Sequence, residues 1–403
     1  MKKDYRMKET CIVKIGKVKI GGNLPILIQS MTDTLTSDID STVTQILELE
    51  KAGSEIIRLT INNEKSAQCI PLIKKKLLDK KCDIPLVGDF HYNGHILLER
   101  FPECAKSIDK YRINPGNIGF GSKEEDNFKK VVLLAIEHKK PIRIGANWGS
   151  TNKRLFQRFL NMGLTDRQAT TQSLISSVIE SAEYAEKLGL RKDQIVLSCK
   201  VSEVKHLVEI YEDLYSKCSY PLHVGLTESG TGLNSVVASS IAIGTILQKG
   251  IGNTIRVSYT PGQKELRSHE VKVCREILQS LSLRTFAPSL ISCPGCGRTN
   301  IDVFGRLVQK VKIYIEDKMP IWKKKFPGVE NIRIAVMGCV VNGPGESKHS
   351  DIGISLSRNR DDKNMSAVVF ISGKKKYTLR GNKIEENFFD IIDTYISEKF
   401  SSI

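Results

Sequence analysis

From residue 26 onward, two hydrophobic rhythms take turns along the chain. Short, nearly continuous apolar runs stand at Ile26–Ser30, Glu55–Thr60, Ile84–Phe90, Lys110–Asn114, Pro141–Ala146, Gln194–Lys200, Pro221–Leu226 and Thr254–Ser258. Runs of this length without alternation mark strands covered on both faces, as in a parallel sheet. Between them, apolar residues recur at the three- and four-residue spacing of amphipathic helices, for example over Ser41–Ala52, Glu64–Leu78, Asp166–Leu188 and Val201–Ser216. Eight such units in about 260 residues predict a (β/α)8 barrel of the TIM type. Ahead of them, residues 9–22 alternate apolar and polar positions around glycines, a small hairpin suited to plugging the barrel's bottom. A doubly wound open sheet is the rival arrangement. It usually carries a Gly-rich phosphate loop after its first strand, and Gln29-Ser30-Met31-Thr32 is not one.

The rhythm changes after an eighth helix expected over Lys264–Leu283. Strand-like runs at Ile332–Val336, Asp351–Ser355, Ser366–Ser372 and Lys376–Leu379 then mix with helices at Val303–Lys318 and Glu385–Phe400. This predicts a barrel domain over residues 1–284 and a compact α+β domain over 285–403. A length of 403 residues suits two cores better than one.

With 40% hydrophobic and 26% charged residues, the chain reads as soluble and globular. No apolar stretch approaches the roughly 20 residues that cross a bilayer. The opening MKKDYRMKET has no apolar run behind it and is not a secretory signal, so the protein is expected in the cytoplasm, with no membrane partner. A net charge of +16 raises the question of nucleic acid. The excess, however, is scattered lysine, and the runs Lys74–Lys76, Lys323–Lys325 and Lys374–Lys376 are short and lack interleaved aromatics. A solvated surface is the better reading. Ten cysteines without an export signal point to thiols rather than disulfides. Cys11, Cys69, Cys82, Cys104, Cys199, Cys218 and Cys274 stand alone in apolar or amphipathic surroundings, as small packing residues do.

Barrel function gathers at the C-terminal ends of the strands. There the sequence places Arg58, then Asp89 and His91, Arg112 and Asn114, Arg143 and Asn147, Lys200, Thr227 and Glu228, and finally Arg256 and Ser258. Four or five cations thus face two carboxylates. Removing each charge from water costs several kcal/mol unless it is paired, and an anionic ligand is the natural partner. Guanidinium groups fork onto phosphate oxygens, and turns such as Gly145–Gly149 add N–H donors. Any one of these cations could instead pair with Asp89 or Glu228. Glu228 follows an apolar strand and precedes Ser229-Gly230-Thr231-Gly232. It could be a proton donor if desolvation raised its pKa, or a salt-bridge partner of Lys200 or Arg256.

The remaining three cysteines differ from the other seven. Cys293-Pro294-Gly295-Cys296-Gly297-Arg298 puts two thiols three positions apart on a turn that Pro and Gly enforce. Met337-Gly338-Cys339-Val340-Val341-Asn342-Gly343-Pro344-Gly345-Glu346 again sends a thiol from a strand into a Gly-Pro-Gly loop, with a carboxylate seven residues on. Structural zinc normally closes with four Cys or His ligands, often in two close pairs, and a second pair is missing. Three thiolates and an oxygen ligand suit a [4Fe–4S] cluster with one exchangeable iron.

Gln29-Ser30-Met31-Thr32, Arg112 to Asn117, Pro141 to Gly145, Leu222 to Glu228 and the two cysteine motifs together resemble the 4-hydroxy-3-methylbut-2-en-1-yl diphosphate synthase family, over about Ile26 to Asp351. The resemblance implies two-electron reductive opening of 2-C-methyl-D-erythritol 2,4-cyclodiphosphate. It also implies one [4Fe–4S] cluster on Cys293, Cys296, Cys339 and Glu346. Substrate contacts carry over to Arg112, Arg143, Asn147, Lys200, Arg256 and Ser258, and the barrel carboxylate to Glu228; Arg58 joins the expected substrate-binding residues from its place at a strand end alone. Flavodoxin or ferredoxin is the implied electron donor, and a homodimer completing its sites across subunits the implied assembly. Two departures stand out. Trp148 occupies a loop position where the family more often has a small residue, and the long insertion of some members is missing. The rival functions are a zinc-stabilised RNA-binding protein and a redox-inactive barrel transferase of the pterin-binding kind.

Overall fold

The structure is a computed structural model that describes residues 9–118, 124–262, 266–339, 341, 345–346, 349–357 and 366–400. Packing separates two compact units, Met1–Arg284 and Thr285–Ile403. No helix among the described residues is long and apolar enough to cross a membrane.

The first unit opens with the hairpin β1 (Val13–Ile15) and β2 (Val18–Ile20). Eight parallel strands follow: β3 (Leu27–Met31), β4 (Ile56–Thr60), β5 (Leu86–Phe90), β6 (Lys110–Ile113), β7 (Ile142–Asn147), β8 (Ile195–Lys200), β9 (His223–Val224) and β10 (Thr254–Ile255). Their order in the sheet is β8-β7-β6-β5-β4-β3-β10-β9. A parallel bridge between Leu197 and Leu222 joins the two ends, with Leu197 N–H on the Pro221 carbonyl at 3.0 Å. The sheet is therefore a nearly closed barrel, with helices alternating between its strands. The last helix of the unit spans Ser268–Ser280, inside the expected Lys264–Leu283; Lys264 itself lies outside the described residues.

The expected runs Pro221–Leu226 and Thr254–Ser258 shrink to two-residue strands. Arg256 N–H still reaches the Val224 carbonyl at 3.0 Å, but beyond it a side chain takes over from the ladder, with Ser258 Oγ on the Leu226 carbonyl at 3.2 Å. The chains pass so closely that a Cβ on Gly225 would lie 2.4 Å from the Arg256 carbonyl oxygen. Glycine is what fits there.

Side chains alternate across each strand, so every second residue faces the barrel axis. At the bottom, Leu27, Ile56, Val87 and Val196 pack on Val13, Ile15 and Ile20 of the hairpin, which acts as an apolar plug. Two residues further along the same strands, the buried side chains become Gln29, Arg58, Asp89 and Ser198, all polar. Lys110, Arg112, Arg143, His223 and Thr254 are buried with them. The polarity of the interior rises along the strands toward their C-terminal ends.

The second unit is a five-stranded mixed sheet in the order β11 (Ser289–Ser292), β12 (Arg333–Met337), β13 (Ile352–Leu356), β14 (Ser366–Ile371) and β15 (Lys374–Arg380). The first three strands run parallel, and β14 and β15 are antiparallel to their neighbours. Helix Ile301–Lys325 presents Val303, Leu307, Val311, Ile315, Met319 and Trp322 to the core, where Phe388, Ile392 and Ile396 of helix Ile384–Phe400 join them. The first of these helices runs past the expected Lys318 because its apolar stripe continues through Met319 and Trp322. Strand β11 was not visible in the pattern, being four residues long, short of full burial and at the sheet edge.

Candidate active site

Strand ends of the barrel surround one cavity of about 220 Å³, lined by Arg58, Asp89, His91, Arg112, Arg143, Asn147, Lys200, Thr227, Arg256 and Ser258. All seven residues expected at a substrate site from the sequence stand around it. Their convergence follows from parity: Arg58 on β4, Asp89 on β5, Arg112 on β6, Arg143 and Asn147 on β7, and Lys200 on β8 all occupy inward positions.

Asp89 is the anchor. Its Oδ1 accepts from Arg112 Nη1 at 3.0 Å and its Oδ2 lies 3.6 Å from Arg58 Nε. His91 Nε2 stands 3.6 Å from the same carboxylate and 2.7 Å from Arg112 Nη1. Arg112 Nη2 reaches the Gly145 carbonyl at 3.3 Å, and Arg143 Nη1 donates to Ser198 Oγ at 3.2 Å. Even so, Nε of Arg112 and of Arg256, and both Nε and Nη2 of Arg143, have no hydrogen-bond partner among the described residues. Five cations around one lining carboxylate leave buried donors uncommitted, the condition an anion relieves.

The electrostatics follow. Burial would raise the Asp89 carboxyl, but Arg58, Arg112 and His91 outweigh it and hold it well below the ordinary carboxylate range. Burial and the neighbouring cations Arg256, Arg143, Arg58 and Arg112 push Lys200 well below its ordinary value. Arg58 is lowered to about 9, by burial first, with Asp89 pulling the other way.

The second unit brings together part of the cysteine set. Cys293 leaves β11 and Cys339 follows β12, two adjacent parallel strands with Ser292 in register with Val336. Gly338 N–H donates to Cys293 Sγ at 3.3 Å, and a Cβ on Gly338 would meet Thr299 Cγ2 at 2.5 Å, so the two loops touch. The Arg298 backbone N–H lowers the Cys296 thiol below its ordinary value. Gly295, at φ +80°, makes the turn between the thiols. Cys293 and Cys339 are half-buried, while Cys296 and Glu346 are exposed. Among the described residues, no three His, Cys, Asp or Glu side chains are grouped as a metal site. Val340 and Asn342–Pro344, in the loop that would bring Glu346 toward the thiols, lie outside the described residues. The donor chemistry nonetheless fits an iron–sulfur cluster: soft thiols at adjacent strand ends, with N–H groups aimed at two of the sulfurs.

The family model described as GcpE TIM-barrel domain matches residues 10–275, and that described as GcpE protein C-terminal domain matches residues 289–394. The chain belongs to the GcpE family. This is the family of 4-hydroxy-3-methylbut-2-enyl diphosphate synthase, and membership makes the chain an enzyme of isoprenoid-precursor synthesis. Among solved structures, this GcpE chain is similar to N-acetylneuraminic acid synthetase from Leptospira borgpetersenii, at 12% identity over 68% of this chain and 90% of that one, with a TM-score of 0.46. It is also similar to 3-dehydroquinate dehydratase from Geobacillus kaustophilus, at 13% identity, 68% and 98% coverage and a TM-score of 0.46. A third is dihydropteroate synthase from Yersinia pestis, at 10% identity, 68% and 99% coverage and a TM-score of 0.42.

Other features of the GcpE barrel differ from the pattern reading or escaped it. Glu228 is exposed, in left-handed backbone at φ +51°, and does not line the cavity. Asn114 serves its own turn, accepting Gly116 N–H at 3.1 Å and donating to Ser150 Oγ at 2.7 Å. Trp148 is half in solvent next to Asn147, edge-on to His206 with ring centres 6.4 Å apart. Sequence reasoning missed Lys110 and Glu270. Lys110 is completely buried, with Gln29 Oε1 3.5 Å from its amine. Its one signal was a Lys opening an otherwise buried strand. Glu270, on helix Ser268–Ser280, stands 3.9 Å from Arg256, and burial raises its carboxyl while Arg256 and Arg267 oppose the rise. No spacing rule pairs a helix residue with a cation just past the preceding strand.

Proposed function

We propose that this enzyme converts 2-C-methyl-D-erythritol 2,4-cyclodiphosphate to 4-hydroxy-3-methylbut-2-enyl diphosphate, with the barrel cavity holding the diphosphate. Two electrons and two protons enter, a ring C–O bond to phosphate breaks, and one water leaves. The observation that carries this reading is the cavity itself: Arg58, Arg112, Arg143, Lys200 and Arg256 converge on it, with Asp89 as the one lining carboxylate among the described residues. A diphosphate supplies the missing negative charge, and the arginine forks match its oxygens.

In this reading Cys293, Cys296, Cys339 and Glu346 hold one [4Fe–4S] cluster. When bound, the cluster supplies the electrons one at a time. The remaining work belongs to side chains. The arginines and Lys200 orient the ring and stabilise charge growing on the leaving phosphate oxygen. Asn147, Thr227 and Ser258 line the same cavity and offer neutral hydrogen bonds that fix the register of the carbon skeleton. Glu228, next to Thr227 at the rim, donates a proton to the departing hydroxyl once bound substrate covers it. Flavodoxin or ferredoxin delivers the electrons in the cytoplasm, and a homodimer is the working assembly.

The deciding experiment is an anaerobic assay of reconstituted protein with the cyclodiphosphate and an artificial one-electron reductant. Turnover should be present in the wild type and lost in Cys293→Ala/Cys296→Ala. A redox-inactive barrel transferase would give no reductive product with either protein, and a zinc-holding RNA binder would be colourless where an iron–sulfur protein is brown.

A further inference from the structure

One side of the cavity is braced by a group that does not line it. Glu270 lies in the first turn of helix Ser268–Ser280 and is 2% exposed. Its Oε1 accepts Tyr259 N–H at 3.0 Å and faces Arg267 Nη1 at 3.1 Å. Its Oε2 has no hydrogen-bond partner among the described residues and stands 3.9 Å from Arg256 Nη2. Arg267 in turn reaches the Met31 carbonyl through Nε at 3.4 Å and the Tyr259 carbonyl through Nη1 at 3.3 Å. The carboxylate thus ties together the end of β3, the chain just past β10 and a cavity arginine.

The separation decides what Glu270 does for Arg256. At 3.9 Å the two charges attract but share no hydrogen bond. Nε of Arg256 also lacks a partner among the described residues. A bidentate pair would consume the guanidinium fork; this longer one aims the group and leaves its donors for a ligand. The site is buried, so the attraction is weakly screened and favours the rotamers of Arg256 that keep its guanidinium beside Glu270. Solvent-exposed carboxylates such as Glu228 have no such leverage.

We infer that Glu270 is a positioning residue of the anion site: with Arg267 it fixes Arg256 in the orientation that meets a diphosphate oxygen. The inference rests on the diphosphate reading of the cavity. Calorimetric titration of the full-length protein with inorganic diphosphate at fixed low salt tests it. Glu270→Gln should bind about tenfold more weakly than wild type, the size of one misplaced charge-assisted contact. Arg256→Ala should lose at least as much, and the double variant should be no weaker than Arg256→Ala alone, because Glu270 acts through Arg256. Glu270→Asp keeps the charge but withdraws it by one methylene and should fall between. It carries the same comparison if thermal unfolding shows that the Gln variant does not fold. Wild-type affinity in both Glu270 variants, or losses that multiply in the double variant, would overturn the inference while leaving the diphosphate site standing. A wild type that binds no diphosphate would bring down the reading and the inference together.

Discussion

Asp89 shows how one residue sets the stability of a charged interior. Its carboxylate is the counter-ion for Arg112 and Arg58, and removing one partner of a buried pair leaves uncompensated charge. Asp89→Asn should therefore cost about 3–5 kcal/mol at neutral pH. The folded pKa of Asp89 lies below the unfolded value near 4, so the contribution is complete above roughly pH 4 and disappears as the pH falls through the lower folded value. Denaturant titrations of wild type and variant across pH should show a gap that is widest near neutrality and narrows in acid. Lys200 has the opposite linkage to ligand. Burial and four neighbouring arginines depress it, and a bound dianion raises it again. Binding of the cyclic diphosphate, whose two acidic hydroxyls are fully ionised near neutrality, should take up protons, and affinity should fall as the pH rises through the free-enzyme value of Lys200. Calorimetry in buffers of different ionisation enthalpy reads this directly, and proton release on binding would remove Lys200 from the site.

At the scale of elements, the seam of the barrel is the sensitive place. Strands β9 and β10 pair over two residues each, and between β8 and β9 the sheet is completed by the bridge at Leu197 and Leu222 and the Thr227 N–H on the Val201 carbonyl at 3.2 Å. Gly225 lets the chain after β9 pass the Arg256 carbonyl, and a methyl group there would meet that backbone oxygen at 2.4 Å and the Lys200 amine at 2.9 Å, of which only the amine can swing aside. Gly225→Ala should destabilise the barrel by about 1–3 kcal/mol through overpacking. It should also weaken diphosphate binding, because Arg256 moves with the strand. An unchanged melting temperature would show that the seam has slack. The helices and strands themselves were readable from periodicity because burial on two faces, or on one stripe, writes itself into residue order. The two short strands and β11 were not, since a ladder of two to four residues depends on a neighbour that residue order does not name.

For the whole molecule, the two compact units divide the chemistry: cations in Met1–Arg284, thiols in Thr285–Ile403. The barrel carries its own plug and its own core, so residues 1–284 expressed alone should fold and bind inorganic diphosphate while showing no cyclodiphosphate reduction. Circular dichroism and calorimetry would check this, and an aggregated or non-binding fragment would mean that the barrel needs the second unit.

Residue order alone supplied the alternation of strands and helices, the hairpin, the change of texture near Arg284 and the roster of cavity cations, because each is a local pattern of burial or polarity. It could list Arg58, Arg112, Arg143, Asn147, Lys200, Arg256 and Ser258 one strand at a time. That they share one cavity, that Asp89 rather than Glu228 is the carboxylate inside it, and that Glu270 backs Arg256 came with the folded chain. The reason is geometric: closing a sheet brings together side chains more than a hundred residues apart, and the pairing of charges depends on those distances in space.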